Sequence, residues 1–306
     1  MSAVILDHIT KTYENGKVTA VDDVSLEVSP GELFGLIGPD GAGKTSVFRI
    51  LTTLLLPEKG TASVLGFDCV KNYREIRNRV GYMPGRFSLY QDLTVAENLH
   101  FFATLFGTTI EENYTLIKDI YEQIKPFSNR RAGKLSGGMK QKLALCCALI
   151  HKPEVLFLDE PTTGVDVVSR KEFWAMLQQL KQQGITIMVS TPYMDEAVLC
   201  ERIALIQAGR IMSVDTPEKI IDTFPAQLFA VKAADIYRLL TDLRNDPATE
   251  SCYTFGEYLH ITFRGHPDTN PQQLQEWLEQ RGHRNVAVKQ IRATIEDSFI
   301  RLMNEA

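Results

Sequence analysis

The chain of 306 residues is 44% hydrophobic and 23% charged, a globular composition that excludes disordered, fibrous and collagen-like chains. Its 33 Lys and Arg stand against 38 Asp and Glu, a net charge of −5, without the basic excess of a duplex-binding protein. The apolar stretches, of which 143–150 is among the longest, fall short of the roughly 18–20 residues a membrane-spanning helix needs, and Met1-Ser2-Ala3-Val4 lacks the basic region and apolar core of a secretory signal.

Residues 3–9 and 18–28 alternate like antiparallel strands around a turn at Glu14-Asn15-Gly16. A short apolar run at 33–37 ends in a glycine-rich loop, and the spacing predicts a helix over 44–55. Between 86 and 131 the pattern turns helical: Thr94 and Glu97 form a capping box, and Val95, Leu99, Phe102 and Phe106 make one apolar stripe. Phe101 and Leu105 lie off that stripe and offer a groove for a membrane protein's cytoplasmic helix, or ordinary packing. Buried strands at 155–158 and 185–189 flank a helix over 170–183, the alternation of a mainly parallel α/β sheet. After Pro217 the character changes: strand at 228, helix 235–244, strands 251–255 and 258–263, helix 271–281, strand 285–291. That is the split βαββαβ order of a ferredoxin-like unit, closed by a helix over 295–303. The boundary is read at 218–227, and the sequence shows neither internal repeats nor low-complexity segments.

The five cysteines (69, 146, 147, 200, 252) include no C-x-x-C pair, and none of the six histidines forms an H-x-x-x-H pair. This reads as idle thiols in a reducing compartment and no metal cluster.

Three motifs carry chemistry. Gly38-Pro39-Asp40-Gly41-Ala42-Gly43-Lys44-Thr45 follows a strand and opens a helix, the setting of a P-loop whose backbone N–H groups turn toward phosphate oxygens. Lys44 is expected to reach the terminal phosphates and Thr45 to ligate Mg²⁺, with Ser46 counted among the nucleotide-binding residues. The apolar strand 155–158 delivers Asp159 and Glu160 at its carboxyl end, where an open α/β sheet holds its ligands. Asp159 suits the Mg²⁺ shell and Glu160 the attacking water, so Glu160 and Lys44 are the candidate catalytic pair. Leu135-Ser136-Gly137-Gly138-Met139-Lys140-Gln141 opens a further helix with serine in a capping position, a second start suited to anions.

Together these motifs resemble the ATP-binding subunit of ABC transporters over about residues 1–220, with 135–141 looking like the family signature. The resemblance implies an α/β P-loop NTPase domain with an antiparallel β subdomain and a helical subdomain at about 88–135. A small C-terminal α+β, ferredoxin-like domain occupies 221–306. It implies ATP and Mg²⁺ as cofactors and head-to-tail pairing with a second nucleotide-binding domain, where Ser136, Gly137 and Gly138 close over the other's ATP. It also implies adenine stacking by Tyr13 and a loop communicating between paired sites at Asp166. Integral membrane permease subunits, no nucleic acid, and a place on the inner face of the cell membrane follow from it.

Two positions depart from the family pattern. After 80–84, Gly85 stands where the family has a glutamine touching Mg²⁺ and water; after 189–191, Pro192 replaces a histidine that meets the γ-phosphate. Gln91, six residues on, is no obvious substitute. Losing one transition-state donor typically costs about 10²–10³ in rate, so the expectation is a site that binds MgATP and hydrolyses it slowly. The segments 83–84, 87–90, 92–95, Lys134 and 193–197 resemble exporters of the ABC-2 or multidrug, daunorubicin-resistance type, in particular the departed N-terminal half of tandem relatives. A non-transport ABC ATPase and a catalytically silent nucleotide sensor are the alternatives. The long coiled-coil insertion of repair ATPases is absent from the sequence, as is the charged linker of ribosome-acting relatives.

Overall fold

The computed structural model describes residues 2–265 and 270–305. Two compact units divide it, Met1–Pro217 with Leu302–Ala306, and Glu218–Arg301.

In the first unit, β1 (Val4–Tyr13) and β2 (Val18–Val28) form an antiparallel hairpin. Glu14, Asn15 and Gly16 all take left-handed backbone at its turn, a conformation glycine and asparagine tolerate best. β3 (Leu33–Ile37) is buried along its whole length and runs through the glycine-rich loop into α1 (Lys44–Leu51). α1 stops four residues before the predicted end at 55: Thr52 closes it, and Thr53 has φ +63°, which no α-helix continues. β4 (Lys59–Val64) and β5 (Phe67–Asp68) complete an antiparallel sheet in the order β2-β1-β4-β5. α2 (Tyr73–Arg77) then leads to β6 (Val80–Met83).

α3 (Val95–Leu105), α4 (Tyr114–Ile124) and α5 (Gly137–Leu149) build the helical region, and the Thr94–Glu97 capping box is formed in full at the start of α3. β7 (Val155–Asp159), α6 (Val167–Gln182), β8 (Thr186–Thr191), β9 (Arg202–Gln207) and β10 (Arg210–Asp215) follow. α6 begins three residues earlier than predicted because Asp166 caps it, accepting from Val168 and Ser169 N–H. The second sheet has the order β10-β9-β3-β8-β7-β6, parallel except for β10. Its parallel strands therefore end together, bringing Ile37, Met83, Asp159 and Thr191 to one edge. Phe34, Phe48, Phe157 and Ile50 fill the core behind that edge, each worth about 1.5–3 kcal/mol on burial.

In the second unit, α7 (Pro217–Asp222) occupies much of the stretch read as a boundary. β11 (Leu228–Lys232), α8 (Ile236–Asn245), β12 (Thr249–Phe255), β13 (Tyr258–Phe263), α9 (Pro271–Gln280) and β14 (Ala287–Ile291) follow the predicted order, ahead of α10 (Ile295–Glu305). The strands lie β12-β13-β11-β14, every pair antiparallel, which is the ferredoxin-like arrangement. Leu239 and Leu243 of α8 and Leu274 and Leu278 of α9 share one core with Phe229, Val231, Leu259 and Ile261.

Candidate nucleotide site

The phosphate loop is held from both sides by backbone. Gly38 N–H donates to Thr191 O (3.2 Å), and Gly209 N–H donates to Ala42 O (3.0 Å). A Cβ on Gly38 would lie 2.2 Å from Ile206 O, and one on Gly43, at φ +104°, 2.1 Å from Ala20 O. Packing thus requires glycine at both, and at Gly43 the left-handed backbone requires it as well. Asp40 and Gly41 are exposed at the tip, Pro39 is half-buried, and Ala42 and Ser46 are buried. α1 has no side-chain N-cap and no acidic residue in its first turn, so its amino end offers N–H groups and a favourable dipole to an anion.

Lys44 is 3% exposed. Its Nζ donates to the carbonyls of Gly38 (2.8 Å) and Pro39 (2.9 Å) and stands 3.1 Å from Glu160 Oε1. Glu160 follows β7 with φ +50°, and its N–H meets both the carbonyl and the hydroxyl of Ser190 (3.0 Å each). The same hydroxyl donates to Asp159 Oδ1 at 2.6 Å. Buried Asp159 also leaves a mark on Tyr82: burial first, and then the Asp159 charge, push that phenol up to about 12. An anion-binding helix start, an enclosed ammonium and two carboxylates with Thr45 alongside make a donor set that fits a nucleoside triphosphate with Mg²⁺.

Tyr13 is near the loop, with its hydroxyl 3.1 Å from Ser46 Oγ and Lys11 Nζ 6.0 Å from its ring centroid. Gly85 borders the acidic strand end: a Cβ there would lie 3.1 Å from Asp159 O and 3.7 Å from Glu160 Cβ. Pro192 follows Thr191, whose carbonyl holds Gly38. Gln91 is elsewhere, its carbonyl accepting from Gly133 N–H at 2.9 Å.

The signature packs against the segment that leads into α6. Ser136 caps α5, accepting from Met139 N–H at 3.4 Å. A Cβ on Gly137 would meet Gly164 O at 3.5 Å, and one on Gly138 would meet Ser169 Oγ at 2.7 Å. Within one chain, then, Ser136–Gly138 sit against the segment that carries Asp166. The glycine at 138 is explained by close packing of α5 on α6, a reason the sequence did not disclose.

The apolar stripe predicted for α3 divides in two. Val95 and Leu99 are fully buried, with Ala103. Phe102 and Phe106 instead line a cleft of about 530 Å³ together with Leu105, Tyr82, Met83, Pro84, Leu89 and His151. Phe101 is not among the lining residues; it packs edge-on against Tyr90 and Phe102. His151 stacks on Phe106 at 3.8 Å, and burial lowers its pKa against the opposing hydrogen bond to Val80 O.

A family described as "ABC transporter" matches residues 21–163. The chain is similar to the "Probable multidrug ABC transporter ATP-binding protein YbhF" of Escherichia coli (strain K12), at 41% identity over 230 residues. That match covers 74% of this chain and 40% of the relative, so the chain spans well under half of that protein. It is 35% identical over 308 residues to the "Nod factor export ATP-binding protein I" of Burkholderia pseudomallei (strain 1710b), covering 99% of this chain and 98% of the relative. Among solved structures, the ATP-binding cassette MJ0796, a dimer in a post-hydrolysis state bound to ADP and Pi, is similar at a TM-score of 0.63 and 26% identity. It covers 70% of this chain and 98% of the cassette.

Proposed function

The chain belongs to the ABC transporter ATP-binding family, and from that premise we propose that it is the ATP-binding subunit of an exporter. In this reading it binds MgATP, pairs with a second nucleotide-binding domain and drives membrane permease subunits, while its own site turns over slowly. One observation carries the proposal: Lys44, Asp159 and Glu160 converge on the phosphate loop, while the neighbouring positions 85 and 192 hold glycine and proline.

Lys44 exchanges the loop carbonyls for phosphate oxygens, and the N–H groups at the start of α1 take the remaining negative charge. Thr45 and Asp159 would hold Mg²⁺, which would offset charge developing on the phosphates. Ser190 orients Asp159 and fixes the backbone of Glu160, so that Glu160 can accept a proton from water once Lys44 has turned to phosphate. Gly85 offers no side chain to orient that water, and Pro192 has neither a side-chain donor nor an N–H. Tyr13 stacks adenine, and Ser136, Gly137, Gly138 and Asp166 act across the dimer toward the partner's nucleotide.

The cleft beside α3 fits a cytoplasmic helix of a permease, an apolar groove receiving an amphipathic segment. Its wall includes Pro84, next to Gly85, so an occupant there adjoins the nucleotide site through one residue. No helix among the described residues is long and apolar enough to cross a membrane; a peripheral place on the inner face of the cell membrane accords with the permease reading.

The deciding experiment measures ATP binding and single-turnover hydrolysis by the purified chain beside Glu160→Gln. MgATP binding with hydrolysis barely above that variant is expected, and brisk turnover by the chain alone sinks the slow-site proposal. Gly85→Gln with Pro192→His should raise the rate by about ten-fold or more, after a shift of a few tenths of an ångström beside Asp159 O.

A further inference from the structure

Glu196 is a carboxylate only 1% exposed, outside the phosphate-binding set. Its Oε2 accepts from the hydroxyls of Thr191 (2.5 Å) and Thr162 (3.1 Å). Its Oε1 stands 3.3 Å from Arg170 Nε, out of line for a hydrogen bond. Arg170 belongs to α6, one turn past Asp166; its guanidinium lies 4.6 Å from the Tyr193 ring centroid, and its Nη2 donates to Asp195 at 2.7 Å. A buried carboxylate is costly unless hydrogen-bonded and paired. Here the partners come from three segments, and the loss of any one leaves the buried charge less well satisfied.

Those segments all serve the site. Thr162 lies two residues past Glu160, whose φ of +50° persists only where the surroundings over-determine it. Thr191 closes β8, and its carbonyl holds Gly38 of the phosphate loop. α6 is capped by Asp166. We infer that Glu196 is a positioning residue: it clamps the segment after the acidic strand, the segment carrying Pro192, and α6 into one block that meets nucleotide as a unit. The inference rests on the MgATP reading of the site. Because Pro192 has no donor of its own, its placement comes from behind, through Thr191 and Glu196.

Hydrogen exchange and single-turnover hydrolysis of the full chain with MgATP test this. Glu196→Gln keeps the volume and removes the charge; Thr162→Val removes one donor. Amides of 190–197 should exchange about ten-fold faster in Thr162→Val, across the clamp from the substitution, and the double variant no faster than Glu196→Gln alone. ATP affinity should stay within about three-fold while the single-turnover rate falls to the level of Glu160→Gln. Loosening of 160–166 alone in Thr162→Val, multiplying effects in the double variant, or affinity falling in step with rate would each overturn the positioning role. Where the parent rate lies at the blank, the exchange comparison decides by itself. A parent chain that binds no ATP defeats the site reading instead, and exchange without nucleotide then decides the clamp.

Discussion

Asn98 is fully buried in α3 and closes the loop before it. Its Nδ2 donates toward the carbonyls of Tyr90 (3.0 Å), Leu93 (3.3 Å) and Thr94 (2.9 Å), while its Oδ1 accepts from Tyr90 N–H (3.1 Å). Leaving these groups unmet in a dry interior costs more than the hydrogen bonds gain, so Asn98→Ala should lower stability by about 2–4 kcal/mol, read by urea unfolding. A second residue ties stability to pH. Burial works to raise the Asp297 carboxyl, but hydrogen bonds from His260 (2.7 Å) and Thr294 outweigh it and hold it below its ordinary 3.8. A carboxyl depressed in the folded state contributes stability that is complete above 3.8 and is lost as pH falls from there through the folded value. Urea midpoints of Asp297→Asn should therefore decline less than those of the parent between pH 5 and 3; an equal decline speaks against that linkage.

Among the elements, the phosphate loop and β7 were legible because their chemistry is contiguous: eight residues spell the loop, and two acids end an apolar run. β4, β5, β9 and β10 were not, being short or mixed in polarity and specified by the strands they join. The division of α3 was hidden for a related reason. Helical spacing puts Leu99 and Phe102 on one face, and only the neighbouring elements decide that one meets core and the other a cleft. Glu196 escaped notice because its two donors and its ion-pair partner lie 5, 34 and 26 positions away, distances no local pattern reports. At this scale the loop offers a sharp test. Gly43→Ala drives a methyl to 2.1 Å from Ala20 O at φ +104°, a cost of about 2–5 kcal/mol. Calorimetry should record MgATP affinity reduced by about 30-fold or more, whereas Gly41→Ala, which meets nothing within 4 Å although its φ is +79°, should lose less.

Over the whole molecule, the βαββαβ order sufficed to anticipate the antiparallel sheet of the second unit, since few strand arrangements accommodate two helices on one face. How its helices share one core was set by packing that the order of elements leaves open. Ligand linkage separates the units by measurement. At one hundred times its dissociation constant, ATP should stabilise the unit it binds by about 2.7 kcal/mol, slowing global exchange in 1–217 and leaving local exchange in 218–301 unchanged. Protection confined to 218–301 would move the nucleotide site to the wrong unit.

The staple between Gly209 and Ala42 sets a timetable for synthesis. β3 has no partner in its sheet until β8 and β9 are made, and the loop after it is gripped by the turn that follows β9. Contacts across some 150–170 residues must be closed before the loop has walls. A nascent chain emerging from the ribosome therefore carries the whole phosphate-binding motif early yet gains nucleotide affinity only after residue 209 has left the exit tunnel. ATP cannot template the folding of its own loop; it can only reward a sheet already assembled around it.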